Sequence, residues 1–292
     1  MPSWNNIFDK IQPLNALEEE KKKYFKKLRH LTKRNYIVYF SCWQQKPAIN
    51  DNFGIDDNDR NGFMNALHNL KKEEGLDLIL HTPGGDLSAT QSIINYLCDF
   101  FNYDIRVIVP HTAMSAGTMI ACSAKEIVMG RHSNLGPIDP QISGVPANEF
   151  IKLFNNALKD LQANKNITYW TMILQKYPPT FQGICENAIE VSKKYVTSWI
   201  KNARQTDLPD DKVKATVDYL SNYNYHLQHN SRLNINELKT NTILNIKALE
   251  ENQEFQDAIL SLYHCYTLLA NISNCTKILE NHNSIKYVKN HN

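Results

Sequence analysis

The chain of 292 residues carries 32 Lys and Arg against 30 Asp and Glu, for a net charge of +2, and 42% of it is hydrophobic. That composition excludes a disordered tail, a collagen and a disulfide miniprotein, and it lacks the basic excess of a general nucleic-acid binder. At roughly 150 residues per domain the length allows one large domain or two small ones, either with a sizeable core.

The first fifteen residues, MPSWNNIFDKIQPLN, have neither the charged start nor the apolar core of a secretory signal, so export by that route is not expected. Residues 18–34 (EEEKKKYFKKLRHLTKR) predict an amphipathic helix with Leu17, Tyr24, Leu28 and Leu31 as its apolar stripe and Glu-to-Lys pairs at helical spacing. A basic arm touching nucleic acid or anionic lipid is the other reading of that segment. From 34 to 136, β-rich runs at 36–42, 76–80 and 105–109 alternate with helical patterns at 59–70, 88–101 and 115–124. That alternation implies βαβ crossovers and a largely parallel sheet. Beyond 145 strand signals fade, and helices are expected at 148–162, 184–201, 211–220 and 254–269. The division that follows is a helical segment over 1–34, a catalytic α/β core over 35–145 and a helical region over 146–292. No run of about 20 apolar residues is present, so no transmembrane segment is expected. Six scattered cysteines without a C-x-x-C pair read as reduced core residues of a cytoplasmic protein.

Two segments carry chemistry. In LDLILHTPGGDLSAT (76–90) a buried strand runs into Gly84 and Gly85, and a helix begins near Asp86 or Ser88. Paired glycines there permit a sharp turn that bares backbone N–H groups, suited to an anion or a developing oxyanion. In IRVIVPHTAMSAGTM (105–119) a second strand ends, and Ser115 stands among Ala113, Ala116 and Gly117. Small neighbours leave its hydroxyl accessible, although an ordinary helix N-cap reads the same way. The G-x-S-x-G elbow is absent, because Ala113 occupies the first glycine position. Consecutive parallel strands end at the same sheet edge, so the paired glycines and Ser115 should meet there.

HTPGGD, AMSAGTMIA and HSNLGPIDPQ, in that order, resemble the Clp-fold serine peptidases, the group of the Clp protease proteolytic subunit and signal peptide peptidase A. The nearest likeness is to the bacterial family of serine dehydrogenase proteinases, and NGFMNALHNLKKEEGLDLILHTPGGD, KYPPTFQGICENAIE and KILENH extend it over most of the chain. The resemblance implies an α/β Clp/crotonase-like fold with a mostly parallel β core and a helical C-terminal half. It further implies Ser115 as nucleophile, an oxyanion hole from the amides of Gly84, Gly85 and Ala116, a peptide substrate, and a homo-oligomer.

The general base is less well marked. Clp protease subunits place a histidine a couple of dozen residues after the serine, where this chain reads NLGPIDP; His132 stands early. Weight therefore moves to a Ser-Lys dyad, whose lysine must be desolvated enough to be neutral. Lys159 falls off the apolar stripe of Phe150, Phe154, Leu158 and Leu161, and Lys165 sits among helix-ending asparagines. Lys176, before the Pro-Pro turn of QKYPPTF, is chosen over both. His81 and His111 flank the two loops, Asp139 stands between prolines to shape the cleft, and His226 with His229 has metal-like spacing but no partner ligand. No metal and no other cofactor is expected. The function expected is an ATP-independent serine endopeptidase; the alternatives are a crotonase-like acyl-CoA enzyme and a catalytically silent Clp-fold scaffold.

Overall fold

A computed structural model describes residues 14–47, 53–204, 208–222 and 231–291. Helix α1 (Leu14–Thr32) leads into β1 (Asn35–Ser41), and α2 (Asp57–Ala66) follows, capped by Asp56 with Asp59 closing a capping box. Next come β2 (Leu76–His81), α3 (Leu87–Phe101), β3 (Ile105–Val109), the short β4 (Thr112–Ala113) and α4 (Ala116–Cys122). After β5 (Glu126–Met129), β6 (Asn134–Leu135) pairs with β4, and β7 (Gln141–Ile142) forms a hairpin with β8 (Val145–Pro146). Helices α5 (Ala147–Gln162), α6 (Ile167–Leu174), α7 (Phe181–Arg204), α8 (Asp210–Ser221) and α9 (Ile235–Asn241) precede β9 (Ile246–Ala248). The chain closes with α10 (Gln253–Ile272), β10 (Cys275–Asn281) and β11 (Lys286–Asn290).

The main sheet has seven strands in the order β11-β10-β1-β2-β3-β5-β9. From β1 to β9 every pairing is parallel, and β10 and β11 add on antiparallel. β1 and β2 are buried along their whole length, as strands covered on both faces must be. Alternation along β1 shows the two layers: Ile37 and Tyr39 join the core beneath α2, α3, α4, α7 and α8, whereas Tyr36, Val38 and Phe40 face α1 and α10. The result is a three-layer α/β/α stack with a mostly parallel sheet.

Two expectations need correction. Residues 146–292 are not only a helical cover, since β9, β10 and β11 come from them, and β10 pairs with β1. Nor is α1 simply a solvated helix with one apolar stripe. Leu17, Phe25 and Leu28 are buried, and so is Lys21, whose ammonium lies 2.6 Å from Glu280 of β10. The apolar side of α1 packs on α10 and the sheet, so it is not free to lie on a bilayer. Among the described residues no helix is long and apolar enough to cross a membrane. His226 and His229 lie outside the described residues.

Candidate active site

The C-terminal ends of β2 and β3 lie side by side because the strands are parallel neighbours, with Leu76 opposite Ile105 and Ile79 opposite Ile108. Beyond them the chains remain linked: Thr82 N–H donates to Thr112 O (3.2 Å) and Met114 N–H to Thr82 O (3.0 Å). The Thr82-Pro83-Gly84-Gly85 loop therefore lies against Met114-Ser115-Ala116, as the two motifs require.

Gly84 and Gly85 have φ of 102° and 155°, where an L side chain is strained. Each also sits where a Cβ has no room. One on Gly84 would meet Ser115 Cβ at 2.8 Å and Ala116 N at 3.1 Å; one on Gly85 would meet Ile55 N at 2.1 Å. The segment around Ile55 was invisible to sequence reasoning. It runs beside the glycine loop like an added strand, with Ile55 N–H donating to Gly84 O (2.7 Å) and Asp86 N–H to Ile55 O (2.9 Å). Asp86 then caps α3 by accepting from Ala89 N–H (2.8 Å).

Ser115 precedes α4 at the N-cap position, but its side chain makes no capping bond. Its backbone holds φ 49° and ψ −113°, a sparsely populated conformation for a residue with a Cβ and a recurrent mark of functional sites. Ser115 as a whole is half-buried. The backbone N–H groups around this loop differ in their partners. Gly84 N–H points back to Thr82 Oγ1 (3.2 Å), whereas the N–H groups of Gly85 and Ala116 have no hydrogen-bond partner among the described residues.

The third motif supplies the far wall. Asn134 and Leu135 pair with Thr112 and Ala113, and Gly136 N–H donates to Thr118 Oγ1 (2.9 Å), fixing the loop to α4. Ile138 O accepts from Ser192 Oγ on α7 (3.1 Å). Asp139 is buried, accepts from Gln141 Nε2 (3.0 Å), and borders the cavity. That cavity, of about 460 Å³, is bordered by Gly85, Asp86, Ser115, Ala116 and Met119 below and by Ala188 and Ser192 above.

No lysine or histidine among the described residues lines it. Lys176 is exposed in the turn after α6, and Lys159 and Lys165 are exposed on and after α5. His81 is wholly buried between the rings of Phe40 (4.8 Å) and Trp43 (4.3 Å), with Nδ1–H donating to Thr112 O (3.2 Å). Burial, with His111 nearby, pushes its pKa down to about 3, so it is a neutral strut between β2 and the Ser115 loop. His132 bonds Pro110 O through Nε2 (2.9 Å), and His111 is half-buried with its pKa lowered mainly by burial. Among the described residues no cluster of His, Cys, Asp or Glu could hold a metal ion.

An uncharacterized protein of Methanocaldococcus jannaschii, MJ0137, is 42% identical over 94 residues, 32% of either chain. A second from the same archaeon, MJ1495, is 28% identical over 181 residues, covering 62% of this chain and 55% of that one. The matches thus span about a third and about half of those relatives' length. The family model of the ClpP-like SDH-type serine proteinases matches residues 47–264, bracketing every element of the site. The chain belongs to the ClpP-like SDH-type serine proteinase family.

Proposed function

We propose that the protein is a cytoplasmic, ATP-independent serine endopeptidase in which Ser115 forms an acyl-enzyme with the peptide carbonyl. The observation that carries this reading is an uncapped, strained Ser115 bordering one cavity together with Gly85 and Ala116, whose amides have no partner among the described residues. Such donors fit the tetrahedral oxyanion better than the planar carbonyl, and so lower the barrier to attack. Met119, Ala188 and Leu87 supply apolar wall for a substrate side chain.

The base in this reading is Lys176 of a neighbouring copy. Its own chain leaves it exposed and away from the cavity, so it acts across a contact between copies. Burial in that contact would lower its pKa towards the neutral form that accepts the serine proton. The lysine gives that proton to the departing amine, then takes one from the water that attacks the acyl-enzyme and passes it to the Ser115 oxygen as the new carboxyl end leaves.

A fluorophosphonate that phosphonylates activated serines is the direct test. Wild-type protein should be labelled on Ser115, and Ser115→Ala should not be labelled at all. Equal labelling of both proteins removes the nucleophile, and failure to label either favours the catalytically silent scaffold.

A further inference from the structure

Within the glycine loop, Gly84 N–H is held by Thr82 Oγ1, but the Gly85 end depends on residues outside it. Gly85 is fixed from outside by Ile55, and the stretch that carries Ile55 is itself anchored to the sheet at three points. Ser41 Oγ at the end of β1 donates to Phe53 O (2.8 Å). Lys277 Nζ on β10 donates to Gly54 O (2.9 Å) and to Asp56 Oδ2 (2.9 Å). The third Lys277 donor goes to Asp59 Oδ2 (2.9 Å), which also accepts from Tyr39 OH (2.9 Å) and Asp56 N–H (2.9 Å). Lys277 is wholly buried, so its ammonium has exchanged water for these three oxygens.

We propose that Lys277 is a positioning residue for the oxyanion loop: by clamping Gly54 and Asp56 on either side of Ile55, it sets where the Gly85 N–H points. This rests on the serine peptidase reading above. A core needs no lysine here on packing grounds, since isolating an ammonium from water is costly unless every donor is satisfied. The satisfied donors are all aimed at one loop and its helix cap. Ile55, locked between Gly54 and Asp56, then presents N–H and C=O to Gly84 O and Asp86 N–H, and the only rotatable unit between those two bonds is Gly85. Glycine cannot hold its own orientation at φ 155°, so rigidity has to come from the neighbour. In this way a charge on β10 controls a donor placed after β2, although the two are nearly two hundred residues apart in sequence.

Two variants test the assignment, Lys277→Met and the double variant Lys277→Met/Asp59→Asn. The second removes the charge pair together and keeps acceptors for Tyr39 and Asp56, so a fold survives if the single variant fails. Hydrogen exchange read by mass spectrometry over residues 53–57 should show the Ile55 amide exchanging faster, with β1 protected as in wild type. Both the rate of fluorophosphonate labelling and kcat should fall by about 10- to 100-fold, the cost of a displaced donor, with KM changed less than about threefold. Unchanged Ile55 protection, or a folded variant with wild-type kcat, overturns the role of Lys277. Absence of labelling in wild type would instead overturn the peptidase reading, while the exchange result still judges the clamp.

Discussion

Ser115 holds an unfavourable backbone conformation, with φ 49° and ψ −113°, and receives no capping bond in return. Such residues cost about 1–3 kcal/mol and persist where surrounding structure enforces them. Here the enforcement comes from Met114, whose N–H is bonded to Thr82 O and whose C=O accepts from Gly117 N–H (2.7 Å). Ser115→Gly should therefore raise the unfolding free energy by about 1 kcal/mol, after the larger chain entropy of glycine is offset. Ser115→Ala keeps the Cβ and the strain, so its stability should stay near wild type, while both variants lose labelling. Urea unfolding of the two proteins decides this: a Ser115→Gly protein less stable than Ser115→Ala would show that no strain is stored there. The residues legible in the sequence at this scale are those whose role is local. Gly84, Gly85 and Ser115 announce themselves by small neighbours at strand ends, but which glycine amide is unpaired depends on Thr82 Oγ1, a detail of one side-chain rotamer.

Among the elements, β1, β2 and β3 were readable because β-branched and aromatic runs occupy fully buried parallel strands. β10 was not. It is buried at every position, yet Thr276, Lys277, Glu280 and Asn281 interrupt the apolar pattern that marks a core strand. Each is satisfied by a partner that only the fold supplies: Thr276 by Lys289 O (3.2 Å), Lys277 by Asp56 and Asp59, Asn281 by Ala66 O (2.7 Å), and Glu280 by Lys21 and by Tyr266 OH (2.8 Å). The last group welds α1, α10 and β10 together through an ion pair exposed by no more than 2% at either side chain. Breaking one side of it strands a buried charge, so Lys21→Met should cost about 3–5 kcal/mol. Replacing the whole group by Lys21→Met/Glu280→Leu/Tyr266→Phe should recover stability to within about 1 kcal/mol of wild type, since no polar atom is then left unpaired. Urea midpoints measure both. A triple variant no more stable than Lys21→Met alone would mean that the group acts through attraction rather than through mutual satisfaction.

At the scale of the molecule, α5, α6 and the start of α7 form an arm beside the cavity whose inner side is an aromatic knot of Phe150, Phe154, Tyr177 and Phe181. Other large apolar side chains of the arm are exposed: Leu158, Ile167, Tyr169, Met172 and Ile184, Met172 by 65%. Soluble monomers rarely leave so much neighbouring apolar surface uncovered, and a second copy of the arm would cover it with matching chemistry. The same arm carries Lys159, Lys165 and Lys176, so burying it against another copy would also bring a lysine into a drier environment than the free chain offers. The expectation that each active site is shared between copies has a consequence that no monomeric enzyme can imitate. Lys176→Ala and Ser115→Ala should each be inactive, yet their equimolar mixture, assembled together, should regain about a quarter of wild-type peptidase activity. Random placement leaves an intact serine facing an intact lysine at about one site in four in a closed ring. Sedimentation of the mixture verifies co-assembly, and turnover of a fluorogenic peptide measures the recovery. A co-assembled mixture without activity would remove Lys176 as a base acting across the contact.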